Sequence, residues 1–151
     1  MKQTIIIGSD HAGFNLKEYV KKLLKEGGYI VEDVGTYSRA SVDYPDFAEK
    51  VAREVVAGRN KRGILSCGTG IGAAIAANKI PGSLAALVHD TRTARLSVEH
   101  DNANILVLAG RPYTRAKAAR IVKTWLKSSF QGGRHLRRVR KIRALEKKYC
   151  K

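Results

Sequence analysis

No stretch of this 151-residue sequence approaches the roughly 18 apolar residues that a membrane-spanning helix needs. We expect no membrane anchor. Cysteine is scarce, with only Cys67 and Cys150. Cys150 stands next to last, and in a reducing compartment both are expected as free thiols. No CxxC or HExxH spacing is present, and four scattered histidines do not make a zinc site without paired ligands. We therefore expect no metal. No low-complexity linker or internal repeat divides the chain, and its length fits one domain over residues 1–151. The opening "MKQTIIIGSDHAG" has a short apolar run and then Asp10 and His11, which reads as a first strand and not a signal peptide. The expected location is the cytoplasm.

Acidic residues are also few. There are 13 of them against 29 lysines and arginines, a net charge of +16. Residues 134–151 carry nine Lys/Arg and one acid, Glu146, which is half of the excess. A surface of that kind suits nucleic acid, phosphate or an acidic partner, although a solvated basic helix accounts for it equally. No aromatic stacking motif accompanies the charge, which argues against nucleic acid as the main partner.

What the chain does contain is a regular alternation. "TIIIGS" (4–9) is a β-branched run that predicts a buried strand. In 14–28, Phe14, Leu16, Tyr19, Val20, Leu23 and Leu24 recur at helical spacing, and Gly27-Gly28 ends the helix. Strands are predicted next at 29–35, 63–67, 84–89 and 104–110. Helices are predicted at 46–60, 72–80, 90–100 and 114–130, with a loop over 36–45. The short apolar runs are those of strands covered on both faces. The expected fold is α/β: a Rossmann-like three-layer αβα sandwich on a five-stranded parallel sheet. A basic helix, about 134–149, follows the completed sheet. Leu136, Val139, Ile142 and Leu145 form a narrow apolar stripe on it. That stripe wants a partner surface, either a second copy or the helix's own domain.

Ligands of parallel sheets bind outside the carboxyl ends of the strands. That rule gathers Asp10 and His11 after the first strand, and "CGTGIG" (67–72) after the third. It adds His100, Asp101 and Asn102 before the fifth strand, and Arg111 after it. The glycine-rich turn aims N–H groups outward at a helix start, which is a nest for an anion. A dinucleotide fingerprint would be GxGxxG in the first turn with an acid after the second strand. Here the spacing is GxGxG after the third strand, and a Walker lysine is missing, so we expect no nucleotide cofactor. A helix start also favours a thiolate over a thiol. Cys67 could then remove a proton beside a carbonyl while the nest stabilises the enediolate oxygen. The usual fate of cysteine is to pack as a small buried hydrophobe. Spacing alone leaves both readings open.

Several stretches carry a resemblance that covers nearly the whole chain in one order: "GSDHAGFNLKE", "VDYPDFA", "GILSCGTGIGAAIAANK", "EHDNANILVLAGR" and "GGRHLRRV". The sequence resembles the type B ribose-5-phosphate isomerases, which share a family with allose-6-phosphate and galactose-6-phosphate isomerases. The resemblance implies a metal-free aldose–ketose isomerase without cofactor. It interconverts ribose 5-phosphate and ribulose 5-phosphate in carbohydrate metabolism, by the pentose phosphate route. It also implies a homodimer, or a dimer of dimers, with active sites lined from both subunits. By the same resemblance Cys67 is the base, and the backbone of Gly68, Gly70, Ile71 and Gly72 is the anion hole. Thr69 and Asp10 handle sugar hydroxyls, and His100 opens the furanose ring. His11, Arg111, Arg134 and Arg138 hold the phosphate. Arg134 and Arg138 are i and i+4, hence on one helix face, and guanidinium forks suit a phosphate. His135, between them in the chain, is expected to point elsewhere.

Two positions depart from the family pattern. Some relatives carry serine at position 67 and a glutamate base at position 71. Ile71 cannot serve as a base, which leaves the thiolate route. The residue after the ring-opening histidine is usually asparagine, and here it is Asp101. Allose 6-phosphate and galactose 6-phosphate remain alternative substrates, and a non-catalytic anion-binding or phosphosugar-binding protein remains the alternative of another class.

Overall fold

A computed structural model describes residues 2–111 and 114–150. Lys151 of the basic tail lies outside them. The elements run β1 (Thr4–Ser9), α1 (Phe14–Glu26), β2 (Ile30–Asp33), α2 (Tyr44–Ala57), β3 (Lys61–Cys67), α3 (Ile71–Ala77), β4 (Ala85–Leu87), α4 (Thr91–Glu99), β5 (Ile105–Ala109), α5 (Arg115–Lys127) and α6 (Arg134–Tyr149). All strand pairings are parallel, in the order β2-β1-β3-β5-β4. The expected α/β sandwich is the one observed.

Successive strand residues face opposite sides of a sheet, and here they feed two cores. Ile5 and Ile7, Ile64, Leu106 and Leu108 pack against Leu16, Val20 and Leu24 of α1, Ala94 and Val98 of α4, and Ile121, Val122 and Trp125 of α5. Ile6, Leu65, Cys67, Ile105 and Val107 face the other way. They meet Ala48, Val51, Ala52 and Val55 of α2 and Ala73 and Ala77 of α3. Helices thus cover both faces, and every apolar run has a use. Trp125 is fully buried, and the Arg62 guanidinium lies 3.6 Å from its ring centre. Arg62 also donates to the Trp125 carbonyl at 3.1 Å, and burial pushes its pKa down to about 10.

Several boundaries differ from the sequence expectation for local reasons. Helix α2 starts at Tyr44, so Pro45 belongs to its first turn. There the missing N–H costs nothing, because first-turn donors have no intrahelical acceptor. Thr114 and Asp90 stand outside α5 and α4 as caps, their side-chain oxygens accepting from the N–H groups of Lys117 and Thr93. Strand β4 shrinks to three half-buried residues at the sheet edge.

The strand order fixes where a site can be. From β1 the chain crosses to β2 on one side and then to β3 on the other. The crevice above the carboxyl ends of β1 and β3 is therefore the topological switch point.

Candidate active site

Strand β3 delivers Cys67 to that crevice as its last residue, opposite Ala109 of β5. The alternation that buries Leu65 beneath α2 and α3 puts Cys67 on the same face, and it is only 4% exposed. That burial is what the packing reading of Cys67 expects. The sulfur is buried at the rim of an apolar cluster, yet Sγ accepts a hydrogen bond from the Gly70 N–H at 3.2 Å. Gly70 has φ +79°, a left-handed conformation that side chains other than hydrogen resist. That left-handed residue turns the chain from the 67–69 segment into α3.

The turn is clamped from β5. The Gly110 N–H donates to the Cys67 carbonyl at 2.6 Å, and the Arg111 N–H donates to the Gly68 carbonyl at 3.2 Å. Gly110 is a close-approach position: a Cβ there would sit 2.6 Å from the Ala12 carbonyl oxygen and 3.1 Å from that of Cys67. Thr69 is exposed, and its Oγ1 accepts from the Ile71 N–H at 3.2 Å. Gly72 and Ala73, in the first turn of α3, have N–H groups without an intrahelical acceptor. Ile71 is an exposed aliphatic side chain beside them.

On the β1 side, Asp10 is buried, and Oδ1 accepts from the Gly13 N–H at 3.0 Å. Its own N–H donates to the Ser66 carbonyl of β3. Ser66 Oγ donates to the Gly13 carbonyl, which further locks the two strand ends together. His11 accepts at Nδ1 from the Val42 N–H at 3.2 Å. A neutral imidazole that accepts at Nδ1 carries its proton on Nε2, which is then free to donate. Asp10, His11, the 67–72 turn and Arg111 thus share one crevice.

The remaining predicted residues form a second group. His100 caps the C-terminal end of α4, followed by the exposed Asp101. Arg134 and Arg138 are exposed on the first turns of α6. His135, expected to point away from the two arginines as a structural residue or a minor contact, faces inward while they are exposed. It is buried, and its ring stacks on His100 with centroids 4.0 Å apart and planes 13° from parallel. Burial pushes the His135 pKa below the usual histidine range. The His100, Arg134 and Arg138 charges push the same way, and Asp101 opposes them. Its position four residues before the buried Val139 was the sequence signal for an inward-facing side chain. No hydrogen bond or ion pair among the described residues joins this second group to the first. Among the described residues no cluster of three or more His, Cys, Asp or Glu could hold a metal ion. None of their helices is long and apolar enough to cross a membrane.

The comparisons with known proteins agree with one another. A family model described as Ribose/Galactose Isomerase matches residues 5–142. The probable ribose-5-phosphate isomerase B of Mycoplasma genitalium is 48% identical over 149 residues, covering 97% of this chain and 98% of that protein. The ribose-5-phosphate isomerase B of Escherichia coli is 42% identical over 144 residues, covering 95% and 97%. Among solved structures, the Clostridium thermocellum ribose-5-phosphate isomerase B superposes with a TM-score of 0.96 at 54% identity, covering 97% of this chain and 99% of that one. The Mycoplasma genitalium enzyme with bound ribulose-5-phosphate gives 0.93 at 47% identity, covering 97% and 98%.

Proposed function

The chain belongs to the ribose/galactose isomerase family, and from that premise we propose that it interconverts ribose 5-phosphate and ribulose 5-phosphate through an enediolate. The observation that carries this is Cys67: a sulfur at the carboxyl end of β3, at the switch point, with a backbone N–H already aimed at it. The relative with ribulose-5-phosphate bound supplies the substrate class.

The sugar arrives as a furanose. Opening it breaks the C1–O4 bond, with a proton gained at O4 and one lost from O1. An imidazole that gives the first and recovers the second, His100, leaves the protein unchanged. Cys67 as thiolate then takes the C2 proton, and the electron pair moves through C1 onto O1. N–H groups of the 68–72 turn face the charge as it forms there, where donors fixed in advance act most strongly. Asp10 and Thr69 carry the hydroxyl proton from O2 to O1. The Cys67 thiol returns its proton to C1, which leaves the ketone at C2. His11, Arg111, Arg134 and Arg138 hold the phosphate, and that remote binding energy orients C1 and C2.

The working unit is a cytoplasmic homodimer, with one copy supplying the Cys67 crevice and the other the His100 and α6 group. Two facts support this. Among the described residues no hydrogen bond or ion pair links the two groups within one chain. Apolar side chains also stand uncovered beside both, notably Ile75 of α3 (59% exposed) and Leu145 of α6 (58% exposed).

The test is Cys67→Ala. Turnover should fall by at least about a hundredfold, the scale of a lost proton-transfer group, while calorimetry still detects ribose 5-phosphate binding. Near-normal turnover would remove Cys67 from the chemistry. Comparing kcat/KM on ribose 5-phosphate and allose 6-phosphate checks the substrate, with the pentose expected to win.

A further inference from the structure

His135 is a buried titratable group that the steps above leave unused. It reaches His100 from a different element, since α6 carries one ring and the end of α4 the other. Centroids 4.0 Å apart and planes 13° from parallel make this a face-to-face contact, not an edge contact. Such a contact fixes the tilt of the His100 ring. A histidine at a helix end has few other restraints: His100 is half-buried, and among the described residues its hydrogen bond is the one its backbone N–H donates to the Leu96 carbonyl.

We propose that His135 is the positioning residue for ring opening, holding the His100 imidazole by its face so that it meets the furanose oxygen. The proposal rests on the reading of His100 as the ring-opening group. Its sequence neighbours give it a second consequence. His135 lies between Arg134 and Arg138 on α6, so the helix that grips the phosphate also carries the plate beneath His100. Binding of the phosphate end is thereby tied to the placement of the imidazole at the other end of the sugar.

Charge fits the same arrangement. The groups that face His135 are His100 and Asp101 from the end of α4 and Arg134 and Arg138 on its own helix. Burial, His100 and the two arginines all disfavour a charge on His135, and Asp101 alone favours it. His135 is therefore the neutral member of the stack at neutral pH. A neutral aromatic face beneath His100 tolerates an imidazolium there, as cation–π contacts do, whereas a second imidazolium would repel it. His100 can then carry a proton through the ring-opening step without facing a like charge at stacking distance.

The chemistry offers a clean separation. Ribulose 5-phosphate has no furanose to open, because the hydroxyl that would close the ring bears the phosphate. Exchange of its C1 hydrogen with deuterium oxide reports proton transfer by Cys67 alone. Isomerisation of ribose 5-phosphate needs ring opening as well. For His135→Leu, which fills the space without a flat face, we expect isomerisation to fall about tenfold, a partial loss of an acid–base contribution. Deuterium exchange at C1 of ribulose 5-phosphate should stay within about twofold of the parent. His135→Phe, which keeps a flat ring and loses only the titrating nitrogens, should recover most of the isomerisation rate. Equal losses in both assays would overturn the proposal and make His135 a packing residue. So would unchanged isomerisation in the leucine variant, or a phenylalanine variant no better than leucine. If the leucine variant does not fold, His135→Gln against His135→Phe gives the same comparison. A parent protein that performs neither reaction would sink the isomerase reading itself, a separate result.

Discussion

The Lys17 side chain has no access to water; three hydrogen-bonded oxygens hold its charge, and Glu18 Oε1 stands 3.4 Å away as a fourth. Its Nζ donates to Asp33 Oδ1 and Oδ2 at 2.8 and 2.7 Å and to the Thr36 carbonyl at 2.7 Å. Lys21 adds a second cation on Asp33 at 2.8 Å. The network matters to the site because it pins the turn after β2. That turn exchanges hydrogen bonds with Ser9, next to Asp10: Ser9 N–H to the Gly35 carbonyl and Thr36 N–H to the Ser9 carbonyl, each 2.7 Å. Removing one member of a buried ion pair leaves the other charge uncompensated, at a typical cost of about 3 kcal/mol. Asp33→Asn should lower unfolding stability by about that much in urea titrations at pH 7. The pH dependence follows from the shifts. Burial alone would raise the Asp33 pKa, but the Lys17 and Lys21 hydrogen bonds outweigh it and hold it below the ordinary 3.8. The stability this supplies is complete above that ordinary value and is lost as pH falls through the lower folded one. Lys21 is shifted the opposite way, raised above 10.5 because its bonds to Asp33 and Glu18 outweigh burial, so its share is lost only as pH rises past that value. Chemical unfolding at pH 7 and pH 3 should show a smaller acid loss in Asp33→Asn than in the parent, the remainder coming from Glu18 and Asp90, which are also held below their ordinary values. The buried lysine was in principle legible, since Phe14, Lys17 and Val20 repeat by three. A hydrophobicity pattern skips over a charge, and its partner lies sixteen residues away.

At the scale of elements, α6 is the piece least held by the rest. Among the described residues it is tied to its own chain by the buried Val139, by the His135–His100 stack near its start, and by Glu146 Oε1 accepting from the Gly82 N–H at 2.8 Å near its end. A hydrogen bond to a charged acceptor is worth about 1.5–3 kcal/mol when neither partner is replaced by water. Glu146→Ala should therefore loosen the last two turns. Hydrogen exchange should speed up across residues 140–149 while the sheet and α1 keep their protection. The stripe on α6 also answers a question that sequence posed. Val139 is buried within its own chain, whereas Ile142, Leu145 and Tyr149 stay largely exposed. The five strand–helix alternations were readable because each is a local periodicity. The order β2-β1-β3-β5-β4 was not, because no residue in a strand states which side its crossover takes. The position of Cys67 at the crevice was readable from the strand end. Its simultaneous burial was not, because that depends on which face α2 and α3 cover. The stacked histidines needed the angle between α4 and α6, which follows from packing and not from spacing.

At the scale of the whole molecule, charge and apolar surface are unevenly placed. Seventeen of the 29 basic residues and only three of the 13 acids lie between Arg92 and Lys151. Most of the +16 therefore comes from the part of the chain that supplies His100, Arg111 and α6. A phosphate dianion is drawn toward such a field, and salt screens it over a Debye length of about 8 Å at physiological ionic strength. KM for ribose 5-phosphate should rise as potassium chloride is raised, with kcat changing less, in initial-rate assays. The apolar part sits next to this charge. A groove of about 610 Å³ runs between α6 and the β4 edge, lined by Leu84, Ala86, Ile142, Leu145 and Tyr149 among others. Tyr149 is 70% exposed. In the homodimer proposed above, a second copy covers this groove and completes both sites. Leu145→Glu places a charge at that contact, at a residue given no part in binding the sugar. It should shift the protein to monomer in sedimentation equilibrium. Isomerase activity should fall with the dimer fraction and recover as protein concentration is raised. A variant that sediments as monomer yet isomerises ribose 5-phosphate at the parent rate would show that each chain builds its site alone, and the split between the Cys67 crevice and the His100 group would then have to close within one subunit.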